Sequence, residues 1–210
     1  LISTAPVIYL RTAVHPTVAA LPPTVTCHSF DALYEQAENF DAVYDQIAAE
    51  LAALAVSGDV IYAVPGDPLV AEATTRRLLR LARERGIAVR VVSGVSFVEP
   101  VCAALGLDPL EHGLQLLDAL DLAVDDYVGA EDPPPSWASL NGIDYTAPLL
   151  PFPLVVTRPA LICQVYGRLI ASHVKLSLLE RYPSDHPVVV VRAAGVTGEQ
   201  MVAETPLHLL

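Results

Sequence analysis

The chain has 210 residues, enough for one large or two small domains with a real core, and 53% of them are hydrophobic against 17% charged. A net charge of −12, from 12 basic and 24 acidic residues, argues against nucleic-acid binding, which needs a basic surface, and repels polyanionic substrates unless local arginines compensate. No run reaches the roughly 18 uninterrupted apolar residues of a membrane span, and no basic segment leads into an apolar core as in a signal peptide. The mean hydropathy of +0.45 points to strands buried on both faces or to a sizeable subunit interface. Cys27, Cys102 and Cys163 are dispersed in apolar contexts, which predicts buried free thiols in a reducing cytoplasm rather than disulfides or a zinc site.

Residues 6–11 read as a strand from their β-branched and aromatic content. In 12–20, Pro16 suits the first turn of a short helix. Residues 25–27 read as a second short strand. Over 39–56, Val43, Ile47, Leu51 and Leu54 fall on one helical face, with Asn39 or Asp41 as cap and Gly58 as terminator. A buried strand follows at 60–64. It ends in the turn Pro65-Gly66-Asp67-Pro68, where Asp67 could also serve as a plain helix cap. The next predicted helix, 70–85, carries Arg76, Arg77, Arg80, Arg83 and Arg85, which read as a solvated face.

Residues 87–92 are predicted as another strand, ending in Ser93-Gly94-Val95-Ser96, and 98–105 as a helix. The β-α-β-α-β-α order implies a mostly parallel sheet with right-handed crossovers. Both glycine turns then lie at the carboxyl ends of strands, where open α/β sheets bind ligands. After Gly106 the texture changes, and a boundary near 109–113 divides a domain of 1–110 from one of 111–210. Residues 114–119 form a compact apolar segment. Residues 125–153 are rich in proline, glycine and acids and read as an insertion or a mobile loop. A strand at 160–165, a helix at 172–182 with Val174 and Leu178 inward, a strand at 187–193 and a returning strand at 201–205 complete a smaller mixed α/β domain. No internal repeat occurs.

Familiar catalytic constellations are absent. There is no phosphate-binding loop, His-Glu-x-x-His, paired Cys-x-x-Cys or Gly-x-Ser-x-Gly. Methyl transfer from a sulfonium donor needs few side chains, because the leaving group is activated by its own charge. The protein has only to align donor and acceptor and exclude water. Small-residue turns suit that task.

The chain resembles the tetrapyrrole (corrin and porphyrin) methylases, and more closely the branch often fused to a MazG-type nucleotide pyrophosphohydrolase. The segments that carry the resemblance begin with Val7-Ile8-Tyr9-Leu10-Arg11-Thr12-Ala13 with His15-Pro16, and Phe30-Asp31-Ala32-Leu33-Tyr34-Glu35. Next come Tyr62-Ala63-Val64-Pro65-Gly66-Asp67-Pro68-Leu69-Val70 and Ser93-Gly94-Val95-Ser96-Phe97. In the second half they are Gly113-Leu114-Gln115-Leu116-Leu117-Asp118-Ala119, Gln164-Val165-Tyr166, Ala171-Ser172-His173-Val174-Lys175-Leu176 and Leu179-Glu180-Arg181-Tyr182-Pro183. The set is collinear over nearly the whole chain.

The resemblance implies a two-domain α/β fold and a homodimeric, cytoplasmic methyltransferase that uses S-adenosyl-L-methionine. It implies a cofactor cleft between the domains. There Pro65, Gly66, Asp67, Pro68, Leu69 and Val70 contact the methionine part and ribose, and Ser93, Gly94, Val95 and Ser96 form the next wall. Gln115 and Leu116, Gln164, Val165 and Tyr166, and Ala193, Ala194 and Gly195 lie around the adenosine. Arg11, His15 and Tyr34 are the acceptor-side candidates. No residue is assigned as a chemical base and no metal is expected. The acceptor is a small molecule, with tetrapyrroles among the candidates, and nucleic acid is the least attractive partner.

The family pattern opens with a strand and a Gly-x-Gly-Pro-Gly loop. Here Leu1-Ile2-Ser3-Thr4 stands where the following helix should be ending, and Leu210 stands before a usual final strand. A fragment is the expectation. The competing class is a non-catalytic nucleoside-binding or regulatory dimerisation module serving an associated pyrophosphohydrolase. A generic α/β domain whose turns are only turns is the third reading.

Overall fold

The computed structural model describes residues 2, 5–36, 40–123 and 154–210. The expected cap at Asn39 and the proline-rich 125–153 segment lie outside them. The chain forms two compact units, Leu1–Ser96 and Phe97–Leu210. The division therefore falls before helix α4 (Val98–Leu105), not near 109–113. Pro100 on that helix packs within the second unit, close enough to Gly195 that a Cβ there would sit 3.3 Å from the proline ring.

In the first unit, β1 (Val7–Leu10) lies between β2 (Thr26–Ser29) and β3 (Tyr62–Ala63), all parallel. The β1 side chains alternate, so Ile8 and Leu10 enter a core with Val25. On the opposite face, α2 (Phe40–Leu54) buries Val43, Ile47 and Leu51 against Phe30, Tyr9 and Tyr62. That is the apolar stripe expected from the sequence, with Leu54 at its half-buried margin. A short helix, α1 (Asp31–Gln36), precedes it. The 3-10 helix Pro16–Ala20 begins on His15, whose ring accepts the Thr17 amide.

Three expectations change here. Helix α3 spans Ala73–Glu84 and does not start at Val70, because Ala71 is left-handed (φ 55°) and Glu72 is extended. Residues 87–92 form no strand. A strand requires a hydrogen-bonded neighbour, and none of the described residues supplies one, so Val89, Val91 and Val92 stay exposed. Cys27 is exposed, since β2 is an edge strand exposed along its length, whereas Cys102 is buried.

The second unit holds a parallel pair, β4 (Gln115–Asp118) and β5 (Ala160–Cys163), and an antiparallel pair, β6 (Pro187–Arg192) and β7 (Met201–Pro206). The strand expected over 160–165 ends at Cys163 because Gln164 turns left-handed (φ 64°). Helix α6 spans Arg168–Leu179, earlier at both ends than the expected 172–182, and buries Val174 and Leu178 as expected. These pack with Leu122 of α5 (Ala119–Ala123), with Leu154 and with Leu207 in one core.

Leu207 is fully buried although it lies close to the end of the described chain. Leu207→Ala is expected to destabilise the second unit by about 2–5 kcal/mol, the usual cost of emptying such a site. Denaturant unfolding followed by a probe in that unit checks it.

Candidate functional site

The turn after β3 is built from Asp67. Its Oδ1 accepts the Leu69 amide at 2.8 Å, closing a local turn, and its Oδ2 accepts the Gly94 amide at 3.1 Å. Asp67 therefore does not cap α3. Glu72 does so, accepting the Thr74 amide at 3.1 Å. Gly66 adopts φ 77°, the left-handed region where glycine carries no penalty. A Cβ on Gly94 would lie 2.2 Å from the Gly66 carbonyl oxygen, so the two turns touch backbone to backbone. The structure thus brings 65–70 and 93–96 together. Gly66, Leu69 and residues 93–95 present an exposed edge, while Ser96 is buried.

Beside these turns, Arg11 follows β1 directly. Its Nη1 donates to Glu72 Oε2 at 2.5 Å and its Nε to the Tyr34 hydroxyl at 3.2 Å. The guanidinium carbon stands 5.9 Å from both the Tyr34 and the Tyr44 ring centroids. Burial works against the charge of Arg11, but the Tyr34 hydrogen bond and Glu72 outweigh it and hold its pKa up. Arg11 and Tyr34 therefore meet, whereas His15 is turned to its own helix. Asp31 accepts the Ala13 amide at 2.8 Å and the Ser29 hydroxyl at 2.9 Å, fixing the segment after Arg11. Hydrogen bonds from Thr12 and Ala13 hold its carboxyl below the usual range.

Glu72, Tyr44, Tyr62 and Arg77 were not expected here from the sequence. Arg77 donates to Asp41 at 2.5 Å and Asp45 at 2.9 Å and lies over Tyr44. The Tyr62 hydroxyl is buried without a well-formed hydrogen bond, as are those of Thr74 and Thr75. Burial, then the nearby Glu72 charge, pushes the Tyr62 phenol up.

In the second unit, Gln164 Nε2 donates to Asp118 Oδ2 in a short bond. This joins the carboxyl ends of β4 and β5, with Val165 and Tyr166 exposed just beyond. Ala193 (φ 49°) and Gly195 (φ 79°) form the turn after β6, braced by Gln200 on the Gly195 amide at 2.8 Å. Gln115 lies at the other end of β4 from Asp118. Its amide bonds Val155 and the Arg158 carbonyl, so it braces residues 155–158 instead of joining Gln164, and neighbouring Leu116 is half exposed. Among the described residues no His, Cys, Asp or Glu cluster could hold a metal, and no helix is long and apolar enough to cross a membrane.

The sequence profile of the Tetrapyrrole (Corrin/Porphyrin) Methylases matches residues 1–209. The chain belongs to that family. It is 36% identical over 202 residues to an uncharacterised Bacillus subtilis protein, YabN, a match covering 96% of this chain and 36% of that protein. The chain thus spans about a third of that curated relative. A uroporphyrin-III C-methyltransferase from Thermus thermophilus shares the fold at TM-score 0.60 and 24% identity, over 100% of this chain and 74% of its own. A structure of the Thermus thermophilus enzyme with S-adenosyl homocysteine aligns at 0.55 and 22%, over 99% and 75%. The fold is that of the methylases, an α/β arrangement with parallel strands.

Two predictions follow from this geometry. Gly94→Ala must displace the Gly66 peptide and should lower Tm by more than about 5 °C, while Gly58→Ala, which meets nothing within 4 Å, should change it little. Since folded Tyr62 holds its proton more tightly than unfolded tyrosine, its share of the stability is intact below about pH 10 and lost above it. Tyr62→Phe should therefore flatten the alkaline fall in stability, measured by denaturation across pH 8 to 11.

Proposed function

We infer that the chain is an S-adenosyl-L-methionine-dependent methyltransferase of the tetrapyrrole methylase type, acting on a small-molecule acceptor. The observation that carries this is the backbone contact of the 65–70 and 93–96 turns beyond the strand end of β3 in a chain of this family. The exposed peptide edge of the turns suits the amino-acid and ribose parts of the donor, which backbone groups can bind. The sulfonium supplies an activated methyl carbon. The protein's part is to hold that carbon in line with the acceptor and keep water out. Pro65 to Val70 and Ser93 to Ser96 are the proposed donor contacts in the first unit. In the second, Gln115 and Leu116, with Gln164, Val165 and Tyr166 and with Ala193, Ala194 and Gly195, are proposed contacts, Gln115 through its backbone because its side-chain amide braces residues 155–158.

A tetrapyrrole acceptor, a homodimeric cytoplasmic protein and an associated MazG-type nucleotide pyrophosphohydrolase belong to the same reading. The family match and the apolar composition support the first two, and the MazG-type partner rests on the resemblance of the sequence segments. One observation favours the alternative, a nucleoside-binding regulatory module without turnover. Two of the three nitrogens of Arg11, the proposed acceptor-side residue, are already taken by Tyr34 and Glu72, which leaves less room for an acceptor than an open pocket would.

Calorimetric titration with S-adenosylhomocysteine should give binding in the micromolar range, about −8 kcal/mol. Gly66→Trp, placed on the turn itself, should abolish it. Absence of binding at millimolar ligand would refute the methyltransferase reading. Binding without methyl transfer to any carboxylated porphyrin or other small acceptor would favour the regulatory one.

A further inference from the structure

We propose that Arg11 is a preformed recognition point for one oxyanion group of the acceptor, a carboxylate or a phosphate, and that Glu72 is its positioning residue. This rests on the methyltransferase reading for the acceptor, but not for the anion itself. The guanidinium is fixed by donation from Nε to Tyr34 and from Nη1 to Glu72, and it packs against the rings of Tyr34 and Tyr44. Its Nη2 has no hydrogen-bond partner among the described residues, and 27% of the side chain is exposed.

Glu72 cannot follow Arg11 if it moves. Its side chain is 2% exposed, its second oxygen is held by the Thr74 amide, and the residue before it is locked in the left-handed region. A planar guanidinium oriented in this way suits a planar carboxylate or a phosphate edge.

With Nε and Nη1 engaged, the remaining Nη2 sets the number of groups recognised at one. Glu72 neutralises Arg11, and Arg77, the other arginine against Tyr44, is taken up between Asp41 and Asp45. No net positive field remains among these groups. Recognition is then directional, by hydrogen bonds to a single group, and not by attraction of a polyanion.

Nitrogen-15 NMR of the Arg11 side chain tests this, with its signals assigned by their loss in Arg11→Lys. Acetate, inorganic phosphate and sodium chloride are titrated at equal ionic strength. A saturable shift is expected with acetate or with phosphate and none with chloride; the anion that responds identifies the group. Glu72→Asp keeps the charge but shortens the side chain by one CH2, so it draws the guanidinium out of place and should weaken the response about tenfold, the value of one charge-assisted contact. Tyr34→Phe leaves the buried carboxylate paired and should weaken it about threefold. Shifts with neither oxyanion, or equal shifts with chloride, would overturn the recognition role. An unchanged response in a folded Glu72→Asp would overturn the positioning role. Failure of S-adenosylhomocysteine to bind is a separate outcome, which removes the methyltransferase reading and leaves the anion response of Arg11 to stand or fall by itself.

Discussion

Backbone meets backbone where the turn after β3 passes Gly94, and no side chain fits between them. A Cβ at Gly94 would fall inside the Gly66 carbonyl, and Asp67 closes the contact by accepting from both Leu69 and Gly94. The first unit has few other strand ties here, because residues 87–92 join no sheet among the described residues and β3 is two residues long. One carboxylate and one absent methyl group therefore hold the two loops in register. The same absence of side chains leaves peptide groups at the surface, which is what a ligand bound mainly through backbone requires.

The far end of that loop is anchored by different physics. Glu72 is buried, and a buried carboxylate is tolerated only when paired and hydrogen-bonded. It obtains both, from the first turn of α3 and from Arg11. The loop from Gly66 to Glu72 is thus tied to the residues 93–96 at one end and to the end of β1 at the other. Glu72 is the side chain through which Arg11 meets the loop, and it is buried and held by the Thr74 amide. Two carboxylates of different burial, Asp67 and Glu72, thus fix the two ends of this loop.

Much of this was legible in the sequence where the signal is local. The spacing of Val43, Ile47 and Leu51 gave the buried face of α2, and Val174 and Leu178 that of α6. Gly66 and Gly94 stood out as glycines at apparent strand ends. What depends on a neighbour was not legible. Residues 87–92 have strand composition but lack a strand partner among the described residues. The resemblance places both Gln115 and Gln164 near the adenosine, and only the parallel register of β4 and β5 shows that they stand at opposite ends of the pair. Glu72 carried one weak sign, an acidic residue just before Thr74 and Thr75 at a helix start. Nothing local marked Arg11, 61 residues away, as its partner.

The central claim is that the joined turns are the donor site. Amide hydrogen exchange with and without S-adenosylhomocysteine tests it directly, since a ligand bound through backbone must protect the peptide groups it covers. Protection concentrated at 66–70 and 93–96 is the predicted result. Bound ligand that leaves those amides unchanged while protecting others would contradict it.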